Sequence, residues 1–392
     1  MFSHVLSLLL LLLLSPSSPF ALPRPTALRP LASSPSSLAA SAASSLTPYL
    51  STLIDGSSLT AADTEGIFQG ILKGSYSDMQ VASLLSLLRA KGETPPEIAG
   101  MVRAMNAACS PVSLPYKLLD IVGTGGDGAD TINISTAAVV LAAACGCRVA
   151  KAGNRSVSSA CGSADVLEAL GVKMLSPAGV EKCCEKTGIA FMFAPRNHPS
   201  MAAVAPVRKG LGVRTCFNIL GPMTNAAGAQ RAVIGVFEPG LQPLVADTLM
   251  EVGRVDHAVV IHGCGLDEVS PLGASSIVEV RNVAGEGEER RYEKKEWAFD
   301  PQSVGVERCT LADLKGGSPE QNRQEFLKVL EGGAPNNAKR DAVVLNAAFG
   351  CYVYGLVGSV EEGVGLARET LEKGKARALL DEWVKVSNEV GE

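Results

Sequence analysis

Apolar positions recur along the chain in two rhythms. Val81, Leu84, Leu85 and Leu88 fall at i, i+3, i+4 and i+7, which puts them on one stripe of a helix. Thr94, Pro95 and Glu97 then form a T-x-x-E box with proline at the first helical position, so a second helix starts there. Turn signals separate short segments of this kind from about residue 46 to residue 109, which predicts a small all-helical domain over 46–115. From residue 118 the rhythm changes. Short apolar runs at 118–122, 148–150, 189–193, 233–237 and 258–261 alternate with helical stretches, the signature of an α/β domain with a mainly parallel central sheet, assigned here to 116–392. After about residue 318 the chain returns to helix, with 340–357 a long apolar-faced example. In open sheets of this type ligands bind in the crevice beyond the carboxyl ends of the strands.

The first 45 residues follow neither rhythm. Residues 5–14 are apolar but for Ser7 and include seven consecutive leucines. That run is too short for a bilayer span of roughly 20 residues and fits a signal-peptide core. Residues 15–45 are rich in Ser, Ala and Pro, carry only Arg24 and Arg29, and contain no acid, which is transit-peptide composition. The pair resembles the two-part leader of proteins imported into plastids of secondary origin. Plastid delivery is therefore expected, with no membrane segment in the mature protein. A plain secretory signal is the competing reading, and the ten cysteines, which form no paired framework, speak against it.

Charge narrows the function classes. The formal net charge of −5 supplies no basic footprint, so nucleic acid is not an expected partner. The cysteines contain no CxxC unit, and the three histidines outside the leader (His198, His257, His262) form no HExxH pattern, so a zinc centre is not expected either.

Four polar clusters carry the candidate chemistry. Gly123-Thr124-Gly125-Gly126-Asp127-Gly128 directly follows the first strand, and its glycines let several backbone N–H groups point at one phosphate. Its G-x-G-x-x-G spacing mimics a dinucleotide fingerprint. However, no Asp or Glu occurs between Asp130 and Asp165 to hold a ribose, so nicotinamide binding is set aside. Asn133-Ile134-Ser135-Thr136 opens the next helix, either as a cap or as an anion site with hydroxyls for a hard cation. Lys151-Ala152-Gly153-Asn154-Arg155-Ser156-Val157-Ser158-Ser159 gathers cationic and polar donors, making it a poor core and a good anion ligand; an exposed turn is the alternative. Asp267-Glu268 follows His262-Gly263-Cys264-Gly265. On a strand the two carboxylates would diverge, so they share one magnesium ion only if the backbone loops; otherwise they are a solvated surface pair. A bound diphosphate would use all four clusters. Arg208, ten residues after His198, could fork onto a carboxylate, or could be ordinary surface beside Lys209 and Arg214.

The stretches GTGGDGADTINIST, KAGNRSVSSACGSADVLEALGV, FAPRNHPSM, PVRKGLGVRTCFNILGP and HGCGLDEVSPLG closely resemble the anthranilate phosphoribosyltransferase family, and the similarity runs from about residue 46 to the C-terminus. The resemblance implies a homodimer with the architecture of pyrimidine nucleoside phosphorylases. It implies transfer of the phosphoribosyl group from phosphoribosyl pyrophosphate to the amine of anthranilate, with Mg2+, in tryptophan biosynthesis. By matched position, phosphoribosyl pyrophosphate would be held by Gly123, Gly126, Asp127, Thr131, Asn133 to Thr136, Lys151 to Ser159 and Ser163. Magnesium would sit at Ser135, Asp267 and Glu268. Anthranilate would meet Gly123, Asn154 and Arg208, with His198 and Pro222 lining its approach; Lys151, Asn154 and Arg208 are the expected catalytic residues. The chain departs from the family pattern at Ala152 (often histidine), Gly263 (serine) and Ala226 (proline). Competing readings are a pyrimidine nucleoside phosphorylase or another phosphoribosyltransferase of this fold, and a non-catalytic nucleic-acid-binding relative. The last would show a basic face and a degraded Asp-Glu pair.

Overall fold

The computed structural model describes residues 45–156, 160–285, 287–333 and 337–391. The leader and the predicted ligands Val157, Ser158 and Ser159 lie outside the described residues, apart from Ser45.

The chain begins with helices α1 (Thr47–Ile54), α2 (Ala61–Leu72), α3 (Asp78–Lys91) and α4 (Pro95–Ala107). The stripe Val81, Leu84, Leu85, Leu88 is buried on α3. The capping box forms at α4, where Glu97 Oε2 accepts from the Thr94 backbone N–H (2.8 Å) and hydroxyl (2.9 Å). Glu97 is fully buried; its Oε1 accepts from Leu59 N–H at 2.9 Å, and Lys91 supplies the countercharge at 2.9 Å. A helix cap thus also ties three helices together.

Next come β1 (Leu119–Gly123), α5 (Ile134–Cys145), β2 (Val149–Gly153), α6 (Ser163–Ala169), α7 (Pro177–Thr187) and β3 (Ile189–Phe193). Short helices α8 (Ala194–Asn197), α9 (Ala205–Leu211) and α10 (Phe217–Leu220) lead to β4 (Arg231–Gly235), α11 (Leu241–Val252) and β5 (His257–His262). The antiparallel strands β6 (Ser275–Asn282) and β7 (Tyr292–Phe299) follow, then α12 (Leu311–Leu314), α13 (Pro319–Leu330), α14 (Ala338–Tyr354), α15 (Val360–Glu372) and α16 (Lys375–Glu389). The sheet order is β3-β2-β1-β4-β5-β6-β7, parallel from β3 to β5.

Alternation along the central strands divides the core. Val233, Val259 and Ile261 pack with α5 and α14–α16 on one face of the sheet. Ala232, Ile234, Ala258 and Val260 pack with α11 and the N-terminal helices on the other. The helical segment therefore shares its core with the sheet through α4 and α11. The strands β6 and β7 add two antiparallel members to the sheet that the apolar runs do not predict. On β6, Glu279 accepts from His257 Nε2 (2.8 Å), Arg281 (3.0 Å), the Tyr352 hydroxyl (2.9 Å) and Trp297 Nε1 (3.0 Å), a network that pins the antiparallel strands to α14. Among the described residues no helix is long and apolar enough to cross a membrane.

Candidate active site

Strand order reverses between β1 and β4, which places the crevice beyond their carboxyl ends. Gly123 and Gly235 are register partners there. A Cβ on Gly235 would lie 1.6 Å from the Asp267 carbonyl oxygen, and one on Gly123 would lie 2.2 Å from Asp267 Oδ2. Paired glycines thus let the Asp267–Glu268 loop settle directly onto the strand ends. The loop leaves β5 through a tight turn, with Cys264 (φ 55°) and Gly265 (φ 87°) left-handed and reciprocal Gly263–Leu266 backbone bonds. His262 braces it: Nδ1 donates to Val236 O at 2.9 Å, and Nε2 accepts from Gly265 N–H at 3.3 Å. At Gly263, where the family pattern has serine, a Cβ would sit 2.1 Å from the Glu268 carbonyl oxygen, so this packing requires glycine.

The carboxylates join three of the four clusters. Asp267 Oδ2 accepts from Gly125 N–H at 2.6 Å, and Glu268 Oε1 accepts from Ser135 N–H at 3.1 Å, where the first turn of α5 supplies its unpaired amides and positive dipole end. Thr136 Oγ1 donates to Ser163 Oγ at 3.0 Å, and Asn133 Nδ2 donates to Cys161 O at 3.0 Å, which draws in the loop after β2. The segment after α12 backs this assembly: Gly316 N–H donates to Asp130 O, Thr131 bridges to Lys315, and Asn322 Nδ2 donates to Asn133 Oδ1 at 2.8 Å.

Burial, then the neighbouring charge of Asp127, raises the Asp267 pKa; burial, then Asp267, raises that of Glu268. Acidic groups so crowded favour a shared cation, and magnesium takes one or two carboxylates together with phosphate oxygens. Asp267, Glu268 and the adjoining Ser135 fit such an ion on that chemistry.

Lys151 requires a correction. The sequence pattern groups it with a polar loop beyond a strand ending at residue 150, but β2 runs on to Gly153, and Lys151 is only 1% exposed. Its Nζ donates to Ile121 O at 2.7 Å, and the charges of Asp120, Glu268 and Asp267 offset the burial that lowers its pKa. An ammonium can be core when a carbonyl and three acids surround it. Asp120 is buried on β1, its pKa pushed up to about 6 by burial against the opposing pull of Lys151 and Asn225. Ala152 is half-buried, with its N–H on Asp120 Oδ2 at 3.3 Å. Gly153 abuts Phe191 and Ser163. Asn154 and Arg155 are exposed; Arg155 forks onto Glu168 and also reaches Asp165. Asp165 Oδ2 accepts from both Ser156 N–H and Gly162 N–H, closing the loop. Gly126, at φ 80°, receives the exposed Arg214 on its carbonyl. Asp127 Oδ1 accepts from Ala129 N–H at 3.0 Å, and Ile134 is buried.

The remaining candidates lie between the sheet and the N-terminal helices. Arg208 is half-buried, its guanidinium 5.4 Å from the Phe217 ring centroid, with no carboxylate within ion-pair distance among the described residues. Burial lowers its pKa, and a partly buried guanidinium without a paired carboxylate suits an anionic guest. His198 is buried, and its Nε2 pairs with Thr224 O at 2.9 Å, so Nε2 carries the proton and Nδ1 is left without a partner among the described residues. Burial lowers the His198 pKa and keeps the ring neutral near pH 7. Pro222 is buried next to Met223.

Both parts of the chain have counterparts among known proteins. Residues 47–109 match the helical bundle domain of a glycosyl transferase family, and residues 115–377 match its a/b domain. The anthranilate phosphoribosyltransferase of Methanosarcina acetivorans is 44% identical over 338 residues, 86% of this chain and 88% of that protein. The Chlamydia caviae enzyme is 40% identical over 346 residues, covering 88% and 97%. The crystal structure of the Thermus thermophilus enzyme superposes with TM-score 0.79 at 42% identity, over 86% of this chain and 99% of that one. The Saccharomyces cerevisiae enzyme, solved in complex with phosphoribosyl pyrophosphate and Mg, gives 0.79 at 27% identity over 88% and 98%. With both domains matched and identity above two-fifths across most of its length, the chain belongs to the anthranilate phosphoribosyltransferases.

Proposed function

We propose that the crevice between β1 and β4 transfers the 5-phosphoribosyl group from phosphoribosyl pyrophosphate to anthranilate, giving N-(5-phosphoribosyl)anthranilate and pyrophosphate. The observation that carries the reading is the convergence of Asp267 and Glu268 with the Gly125 and Ser135 amides at the switch point. The backbone amides of the Gly123–Gly128 loop and the α5 N-terminus bind the diphosphate. The hydroxyls of Thr131, Thr136 and Ser163, with Asn154 and Arg155, complete the cradle. Arg155 leaves Glu168 to do so. Asp267, Glu268 and Ser135 would hold magnesium, which would supply charge neutralisation for the departing pyrophosphate. Lys151 acts from within the sheet, on β2, offsetting the acidic pair.

Arg208 forks onto the carboxylate of anthranilate, Gly123 and Asn154 flank the ring, and His198 and Pro222 line its entry. The amine nitrogen then bonds to C1 of the ribose as the C1–O bond to pyrophosphate breaks, and the nitrogen sheds a proton. Positioning and charge stabilisation dominate such a displacement. The direct test is fluorescence of anthranilate incubated with the purified chain. Its disappearance should require both phosphoribosyl pyrophosphate and Mg2+. Persistent anthranilate with both present would sink the reading.

We also propose a homodimer, supported by Ile54 and Met79, which expose 69% and 79% of their surface on the adjacent helices α1 and α3. Sedimentation as a monomer would refute it. Plastid delivery through residues 1–45 is proposed on their composition alone.

A further inference from the structure

We infer that Asn346 is a positioning residue that sets the metal-binding carboxylates through the backbone of Val269. The inference rests on the reading that Asp267 and Glu268 hold magnesium. Three consecutive carbonyls in this loop are each fixed. Those of Asp267 and Glu268 lie against Gly235 and Gly263, where a Cβ would approach to 1.6 and 2.1 Å. That of Val269 accepts from Asn346 Nδ2 at 2.7 Å, while Asn346 Oδ1 accepts from Val269 N–H at 3.2 Å. The amide thus grips both polar groups of one residue, next to Glu268. Its second Nδ2 proton goes to Ala342 O at 2.8 Å, so both amide protons are used and the oxygen accepts from Val269 N–H. Only this orientation serves two carbonyls and one N–H, which fixes the assignment of oxygen and nitrogen.

Asn346 is otherwise out of place. It is 1% exposed in α14, between Leu345 and Ala347, and 13 residues of this 17-residue helix are buried. Asparagine is a weak helix former, and an amide taken from water needs partners. An aliphatic residue would serve helix and core better. Its partners are all backbone, and the two on Val269 belong to a loop distant in sequence, so the side chain specifies where that loop stops. α14 packs across β1, β4 and β5, so the amide registers the carboxylates against the strands that carry the glycine loop.

The test uses the full chain with Mn2+ as a hard-cation probe, titrated by electron paramagnetic resonance with phosphoribosyl pyrophosphate present. Asn346→Leu strips Val269 of both partners; Asn346→Ser keeps a shorter hydroxyl. The Mn2+ dissociation constant should rise about tenfold or more in the leucine variant and by less in the serine variant, as for residues that orient metal ligands. KM for anthranilate at saturating metal should stay native. Leu380→Ala, in the core of α16, should lower the unfolding temperature without moving Mn2+ affinity, separating positioning from general destabilisation. Native Mn2+ affinity in the Asn346 variants, alongside lost affinity in Asp267→Ala, overturns the inference alone. Native affinity in Asp267→Ala overturns the metal reading beneath it. If Asn346→Leu does not fold, the serine variant decides by the same criterion.

Discussion

Replacing Gly235 by alanine probes the site through a single methyl group. Gly235 has no left-handed φ, so alanine meets no backbone strain, and the whole effect comes from the close approach of the Asp267 carbonyl. A Cβ there starts 1.6 Å from that oxygen, and the next nearest atoms are also Asp267 backbone, at 2.4 and 3.0 Å. No flexible side chain can yield. The loop must retreat by roughly 1.5 Å or more to regain van der Waals separation, and it takes the Asp267 carboxylate off Gly125 N–H. Misplacement by about 1 Å can cost about 100-fold in rate, so kcat/KM for phosphoribosyl pyrophosphate should fall by about that factor. Overpacking should cost about 1–3 kcal/mol, tolerable in a domain of this size. The assay is loss of anthranilate fluorescence at 25 °C, with circular dichroism to confirm folding. Gly240→Ala, which meets nothing within 4 Å, serves as the neutral control. A Gly235→Ala enzyme within threefold of native kcat/KM would refute the argument that the bare strand end seats the loop.

Three further outcomes are expected. Arg208→Ala should raise KM for anthranilate by about 10- to 100-fold, the worth of a charge-assisted bond of about 1.5–3 kcal/mol, while KM for phosphoribosyl pyrophosphate stays native; steady-state kinetics with both substrates check it. Burial alone would raise the Glu279 pKa, but the His257 and Tyr352 bonds and the Arg281 charge bring it down to about 2, from an ordinary value of 4.5. Its stabilisation is therefore complete above pH 4.5 and is lost as pH falls toward 2, so Glu279→Gln should flatten the acid limb of a urea-unfolding stability profile in that window. Residues 1–45 fused to a fluorescent protein should mark the plastid in an alga with a secondary plastid, and secretion to the medium would contradict it.

Local signals in the sequence are strong where chemistry and turn geometry coincide. The Thr94–Glu97 box and strand β3 appear where capping and the apolar runs place them. The loop between β5 and β6 is legible because its glycines allow adjacent carboxylates to converge. What escapes is non-local. Lys151 resembles a loop donor because its countercharges, Asp120 and Glu268, are 31 and 117 positions away in the chain. β7 is missed because YEKKEWAF presents charges rather than an apolar run, a pattern that suits an edge strand but gives little signal by itself. Asn346 carries no motif; only the fold brings Val269 to it.

The two margins of the sheet are guarded by different means. On β7, Glu293, Lys294, Lys295 and Glu296 stand exposed along the outermost strand, a charged fringe that discourages another chain from adding to the ladder. At the opposite margin, β3 is buried from Ile189 to Met192 and offers no free rim. Strand addition is thus disfavoured at both borders, and the residues that finish the fold also work against misassembly by sheet extension.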